Sequence, residues 1–126
     1  MSATDLDIDT ITLTGAFSGL REGSLSSVGL LSAVYERYLA TESELHSWVE
    51  IFEQEALAQA RVADRRLKLS ANPPPLLGIP VGIKDIFDIA GKVTRCNSAA
   101  RDEAPVATRD SEPVHRLRKA GAVLFG

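Results

Sequence analysis

The chain holds a single cysteine, Cys96. One thiol makes no internal disulfide, so the fold is not a stapled secreted scaffold. Positive charge is outweighed, with 14 basic against 17 acidic residues and a net charge of -3. A general nucleic-acid footprint needs a basic excess, so none is expected. The first ten residues carry Asp5, Asp7 and Asp9 and no basic side chain, the reverse of a secretory signal. No run approaches the ~18 apolar residues of a membrane span. Two histidines and one cysteine, far apart, lack the spacing of a metal site, and no Gly-rich phosphate loop follows a strand. There is no internal repeat and no low-complexity tract. These absences lead to the expectation of a cytoplasmic protein with no metal, no cofactor, no nucleic-acid partner and no membrane partner.

An apolar fraction of 44% in 126 residues suffices for one packed domain. Residues 1–10 read as a loose acidic start, and residues 11–126 as one structural portion. Ile11, Leu13, Ala16, Phe17 and Leu20 fall at helical spacing, with Thr12 or Thr14 as cap and Gly23 as stop. Ser26 and Ser27 open a second helix whose apolar stripe is Val28, Leu31, Val34, Tyr35, Tyr38 and Leu39. A third helix runs from Glu53 to about Leu69, with Ala56, Ala60, Ala63 and Leu67 on one side. Asn72-Pro73-Pro74-Pro75 stops it. Strand character follows at Ile79 to Lys84, where Pro80 points to an edge strand. A turn or small hairpin is expected at 87–94, and a loop at 95–109. A helix capped by Asp110 or Ser111 ends at Gly121. Ala122 to Phe125 reads as a buried strand. Helix, glycine turn and apolar strand normally open an α/β unit, so the sequence reads as a piece of something longer.

Lys84 stands at the end of an apolar run, Gly78-Ile79-Pro80-Val81-Gly82-Ile83, and Asp85 follows it. Alternation puts Ile79, Val81 and Ile83 on one strand face and Pro80, Gly82 and Lys84 on the other. Gly82 has no side chain, which leaves open space beside the lysine. A free lysine titrates near ~10.4, so a basic role at neutral pH needs an environment that favours the neutral amine. Burial does so, while a contacting carboxylate does the opposite. A semi-buried strand end with Asp85 turned aside fits the first condition. The alternative is a lysine that pairs with Asp85 or Asp88, or whose amine reaches water.

The stretch from Leu77 to Gly91, L-G-I-P-V-G-I-K-D-I-F-D-I-A-G, with Val93 and Thr94 after it, resembles the amidase signature family. So does H-R-L-R-K-A-G-A-V-L-F-G, from His115 to Gly126. Upstream, R-E-G-S-L-S-S-V at 21–28 and E-A-L-A-Q-A at 55–60 are similar to that family's N-terminal helices. The resemblance implies an α/β fold, of which this chain carries the N-terminal helices and the first strands of a mixed sheet. It implies an amidase that cleaves a carboxamide to an acid and ammonia with a Ser, a second Ser in a cis peptide, and a Lys. Lys84 matches that Lys as the catalytic base, and the partner implied is a small-molecule amide. The two serines lie further along in the family, the nucleophile in a Gly/Ser-rich loop that this sequence does not contain. Asn97-Ser98 stands where a Gly-Ser pair is common, and Leu77 where a His is common.

Other candidates are weaker. Cys96 as a nucleophile needs a base, and His46 and His115 show no sign of proximity. Asp85 and Asp88 suit turn-forming hydrogen bonds better than acid–base work. Arg61, Arg65, Arg66 and Lys68 suit a solvated helix face, as do the basic residues around Leu117. Part of a glutamine-dependent transamidase is the nearest enzymatic alternative, and a truncated interaction module without catalysis is the non-enzymatic one. With no nucleophile segment, the 126-residue chain alone is expected to hydrolyse no amide. Turnover of simple amides by the purified chain, lost in Lys84→Ala, would contradict this.

Overall fold

A computed structural model describes residues 6–126, and the part of the acidic start at residues 1–5 lies outside it. Asp7 orders the approach to the first helix. Its Oδ2 accepts from the Thr10 hydroxyl at 2.8 Å, and its carbonyl accepts from the amides of Thr10 and Ile11. Leu6, Ile8 and Ile11 pack on the core.

Helix α1 spans Leu13–Glu22, capped by the Thr12 hydroxyl and ended by Gly23 at φ 77. Helix α2 spans Ser27–Leu45, and the Ser26 hydroxyl accepts from Gly29 N. A second cap reaches α2 from helix α3, Glu53–Leu69. Asp64 on α3 accepts from Ser27 N at 2.6 Å and from Val28 N at 3.2 Å. A carboxylate there meets the positive end of the α2 dipole. The buried Ser27 hydroxyl donates to the Gly78 carbonyl at 2.8 Å, so the same turn also grips the segment that enters the first strand.

The α2 stripe differs from the expected one. Leu31, Val34, Tyr35 and Tyr38 face the core, but Leu39 is 60% exposed and Leu30 is buried. The reason is that α2 is held on two sides. Leu31 packs with Ala56 and Ala60 of α3, while Leu30 packs with Ala16 and Leu20 of α1 and with Ile79. Ala56, Ala60 and Ala63 of α3 are buried as expected.

Strand β1, Pro80–Val81, pairs in parallel with β2, Val123–Leu124, in the register Pro80↔Val123 and Val81↔Leu124. Both strands are shorter than the Ile79–Lys84 and Ala122–Phe125 runs expected. Val123 N donates to Ile79 O and Phe125 N to Val81 O. An unbroken parallel ladder would next join Ile83 N to Phe125 O. Instead Ile83 N donates to Gly126 O at 2.9 Å, and Phe125 O accepts from Phe52 N at 2.8 Å. The slip ends regular pairing and ties the start of α3 to the sheet. Pro80 turns its donor-less nitrogen away from β2, as an edge position allows.

Between the strands, the expected turn forms at Ala90-Gly91, closed by Lys92 N donating to Ile89 O. It leads to no hairpin with residues 87–89, because Val93 bridges Val106 instead. The expected loop at 95–109 includes a short 3₁₀ turn, Ala99–Arg101. Helix α4, Glu112–Lys119, then returns the chain to β2. Ser111 precedes it without a side-chain capping bond, while the Asp110 carboxylate binds Ala90 N and Arg118 instead. The result is a mainly helical α/β fold with a parallel crossover.

Gly121 has φ 93, and a Cβ there would stand 2.7 Å from Leu77 Cα. Gly91 has φ 84 with nothing within 4 Å. Gly121→Ala should therefore lower stability by clearly more than ~1 kcal/mol, and Gly91→Ala by less. Urea midpoints of both variants check the order; equal losses would contradict it.

Candidate active site

The chain leaves β1 at Val81 and reverses after Lys84. Ile86 N and Phe87 N both donate to the Lys84 carbonyl, at 2.7 and 3.1 Å. Lys84 therefore stands at the carboxyl ends of two parallel strands, beside Gly126. In open α/β sheets this is where ligands bind. A cleft of about 540 Å³ opens there, lined by Trp48, Phe52, Gly82, Lys84, Lys92 and Gly126 among others. That volume is within the usual range for a small-molecule site, roughly 300–1,000 Å³.

Two features differ from the expected site. Lys84 is exposed along the cleft, not semi-buried. The space beside Gly82 is not open either. A Cβ at Gly82 would lie 2.5 Å from the Trp48 ring, so the glycine admits the indole. Trp48 also meets the Phe125 ring edge-on, with centroids 5.1 Å apart.

The Trp48 wall is clipped by Glu42 at the end of α2. Its Oε1 accepts from Trp48 N at 2.9 Å and its Oε2 from the Ser47 hydroxyl at 2.8 Å. The Trp48 N–H, with help from Ser47 and against partial desolvation, holds the Glu42 carboxyl below the usual glutamate range. The opposite wall is ordered by aspartates. Asp85 Oδ1 accepts from Arg95 N at 3.0 Å, and Asp88 Oδ1 from the hydroxyl of buried Thr94 at 2.6 Å. Arg101 Nε donates to the Thr94 carbonyl at 2.8 Å. Asp85 and Asp88 thus serve as hydrogen-bond acceptors of the loop.

Charge pairing singles out one side chain. Three lysine or arginine side chains line the cleft: Lys84, Lys92 and Arg95. Lys92 pairs with Glu50 and Glu55, and Arg95 with Asp102. Among the described residues, Lys84 alone of the three has no carboxylate within 4.0 Å. Burial opposes the charge on Lys92, yet the hydrogen bonds it donates to Glu55 and Glu50 hold its ammonium above the ordinary lysine range.

Cys96 is exposed and lies outside the cleft lining, whereas Asn97 lies within it. Both have left-handed backbones, φ 53 and 49, so Asn97 takes the positive φ that a Gly-Ser pair would permit. His115 is off the cleft and His46 on its rim. Among the described residues no three His, Cys, Asp or Glu side chains group as metal ligands, and no helix is long and apolar enough to cross a membrane. Nothing in the sequence pattern pointed to Glu42 or Lys92. Trp48 carried a signal only as the lone tryptophan of the chain.

A cleft at the carboxyl ends of parallel strands is where open α/β folds bind their ligands. Residues 29–126 match the family model Amidase. A glutamyl-tRNA(Gln) amidotransferase subunit from Roseiflexus sp. is 39% identical over 116 residues, covering 92% of this chain and 23% of that protein. AmiB2 from Mycobacterium tuberculosis is 41% identical over 107 residues, covering 85% and 22%. The native peptide amidase from Stenotrophomonas maltophilia superposes with a TM-score of 0.82 at 29% identity, covering 93% and 24%. The chain belongs to the amidase family, and its fold is that of part of an amidase signature enzyme. It spans less than a quarter of the length of the two sequence relatives named.

The Glu42 clip sets a pH dependence. A carboxyl held below its unfolded value contributes stability above that value, near ~4.3, and loses it as pH falls through the folded one. Fluorescence of the sole tryptophan should therefore shift on acidification below about pH 4.3, and Glu42→Gln should remove that step. Identical acid titrations of the two proteins would contradict the clip.

Proposed function

We propose that the chain is the lysine-bearing N-terminal part of a longer amidase, with Lys84 as the base end of a Ser–cis-Ser–Lys relay. The observation that carries this is the place of Lys84: in the cleft, at the carboxyl ends of β1 and β2, without a carboxylate partner among the described residues, while its cationic neighbours are paired. The proton of the nucleophilic serine passes through the cis serine hydroxyl to Lys84 Nζ. The serine oxygen bonds the amide carbon, and backbone N–H groups hold the resulting oxyanion. The C–N bond then breaks, the proton returns to the leaving nitrogen as ammonia departs, and water frees the acid. Both serines of that relay come from the family resemblance and match no position in these 126 residues. The substrate is a small-molecule amide and the setting the cytoplasm.

A second reading rests on the relative at 39% identity, which is part of an amidotransferase. The same site would then release ammonia from glutamine for transfer within a complex, by the same use of Lys84.

The test is kinetic, on the protein that carries the nucleophile segment. Lys84→Met should lower kcat by about 10²–10⁴-fold, the usual worth of a positioned base. Lys84→Arg should not restore it, because a guanidinium stays protonated. A Lys84→Met enzyme with an unchanged kcat would end the proposal.

A further inference from the structure

Lys92 has no role in the relay, yet it is the most fully partnered side chain in the cleft. Its ammonium is 3.2 Å from Glu50 Oε1, 3.1 Å from Glu55 Oε1, and 4.2 Å from the centroid of the Phe52 ring. Its own side chain is only 22% exposed, whereas both carboxylates are more than half exposed. The lysine is therefore the fixed part, and the acids close over it.

Both ends of this bridge are anchored. On one side, Lys92 N donates to Ile89 O and Ala107 N donates to Lys92 O, next to the Val93–Val106 bridge. On the other, Glu50 and Glu55 flank Phe52, whose amide donates to Phe125 O of the sheet. Beneath the ammonium, Phe52 and Ile89 share one apolar cluster with Ile83 packed on it. The bridge thus joins the Trp48–Phe52 wall of the cleft to the loop that follows Lys84.

We infer that Lys92 is a positioning residue that sets the width of the Lys84 cleft, by clamping Glu50 and Glu55 across the Phe52 ring. The clamp has an electrostatic consequence as well. Glu50 lines the cleft, so without Lys92 it would present a free carboxylate to the space that Lys84 faces. With Lys92 in place, the charge of that wall is satisfied locally. A cation–π contact and two carboxylates on a half-buried ammonium hold better than one exposed pair. The meaning of this width for catalysis rests on the proposed role of Lys84, but the clamp itself does not.

Trp48 is the sole tryptophan and lines the same wall, two residues from Glu50. Acrylamide quenching of its fluorescence therefore reads the opening of the cleft without any need for hydrolysis. The comparison is of the 126-residue chain with Lys92→Met, Lys92→Arg, the double variant Glu50→Gln with Glu55→Gln, and Lys84→Met, with helix content followed by circular dichroism. Lys92→Met and the double variant should raise the quenching constant about twofold, the scale on which such ion pairs shift an opening equilibrium. Lys92→Arg should stay near the parent, and so should Lys84→Met. If Lys92→Met loses helix, the double variant decides, since it keeps the lysine stem over Phe52. Quenching unchanged in the folded variants, or Lys92→Arg no better than Lys92→Met, would overturn the inference. A confirmed clamp together with a dispensable Lys84 would reject the catalytic proposal alone.

Discussion

The parallel pairing of residues 78–83 with residues 121–126 is the constraint on which the rest of the structure depends. Gly78 N donates to Gly121 O where the two segments meet, and both glycines have the positive φ that this close entry requires. The ladder then runs for two residues of each strand and slips at Phe125. That slip does two things at once. It gives the Phe125 carbonyl to Phe52, which fixes the start of α3 against the sheet. It also brings Gly126 beside Ile83, so two glycine-lined strand ends share one mouth. Lys84 is the next residue on one of them. Helices α1, α2 and α3 cover this unit, and Asp64 and Ser27 lock α2 to α3 and to the approach of β1.

Several carboxylates of the molecule serve the backbone. Asp64, Glu42, Asp85 and Asp110 each accept from main-chain N–H groups. Such bonds are shorter and stronger than neutral ones, and they order segments that lack regular secondary structure. They also use up negative charge near the cleft. Glu50 and Glu55 are taken by Lys92, and Asp102 by Arg95. What remains is a cleft in which one lysine is left without an acid among the described residues. This follows from the placement of all the charges, and from no single one of them.

Local chemistry made much of the fold legible in the sequence. Thr12, Ser26 and Gly23 mark helix ends because their side chains or φ angles do the capping themselves. The end of α3 follows from the proline run after it, whereas Phe52 at its start makes no side-chain cap and is held by the Phe125 carbonyl. Lys84 drew attention for a different reason, as part of a motif that resembles a known family. What failed was what depends on distant partners. Strand length depends on where the ladder slips. The burial of Leu30 in place of Leu39 depends on Ala16 and Leu20 of α1 and on Ile79. The space beside Gly82 is filled by Trp48, 34 residues earlier in the chain, and the exposure of Lys84 follows from packing that alternation alone does not encode. Lys92 and its acids are separated by 42 and 37 residues.

Amide hydrogen exchange is the most direct measurement of this account. If the parallel ladder and its slip hold the cleft in place, Val123, Phe125 and Ile83 should be among the slowest amides and should exchange together as one opening unit. Phe52, bonded to the Phe125 carbonyl, should join them. Exchange of Ile83 and Phe52 at the rate of exposed loop amides, with Val123 still protected, would show that the slip does not form. Lys84 would then have no fixed place at the mouth of the sheet.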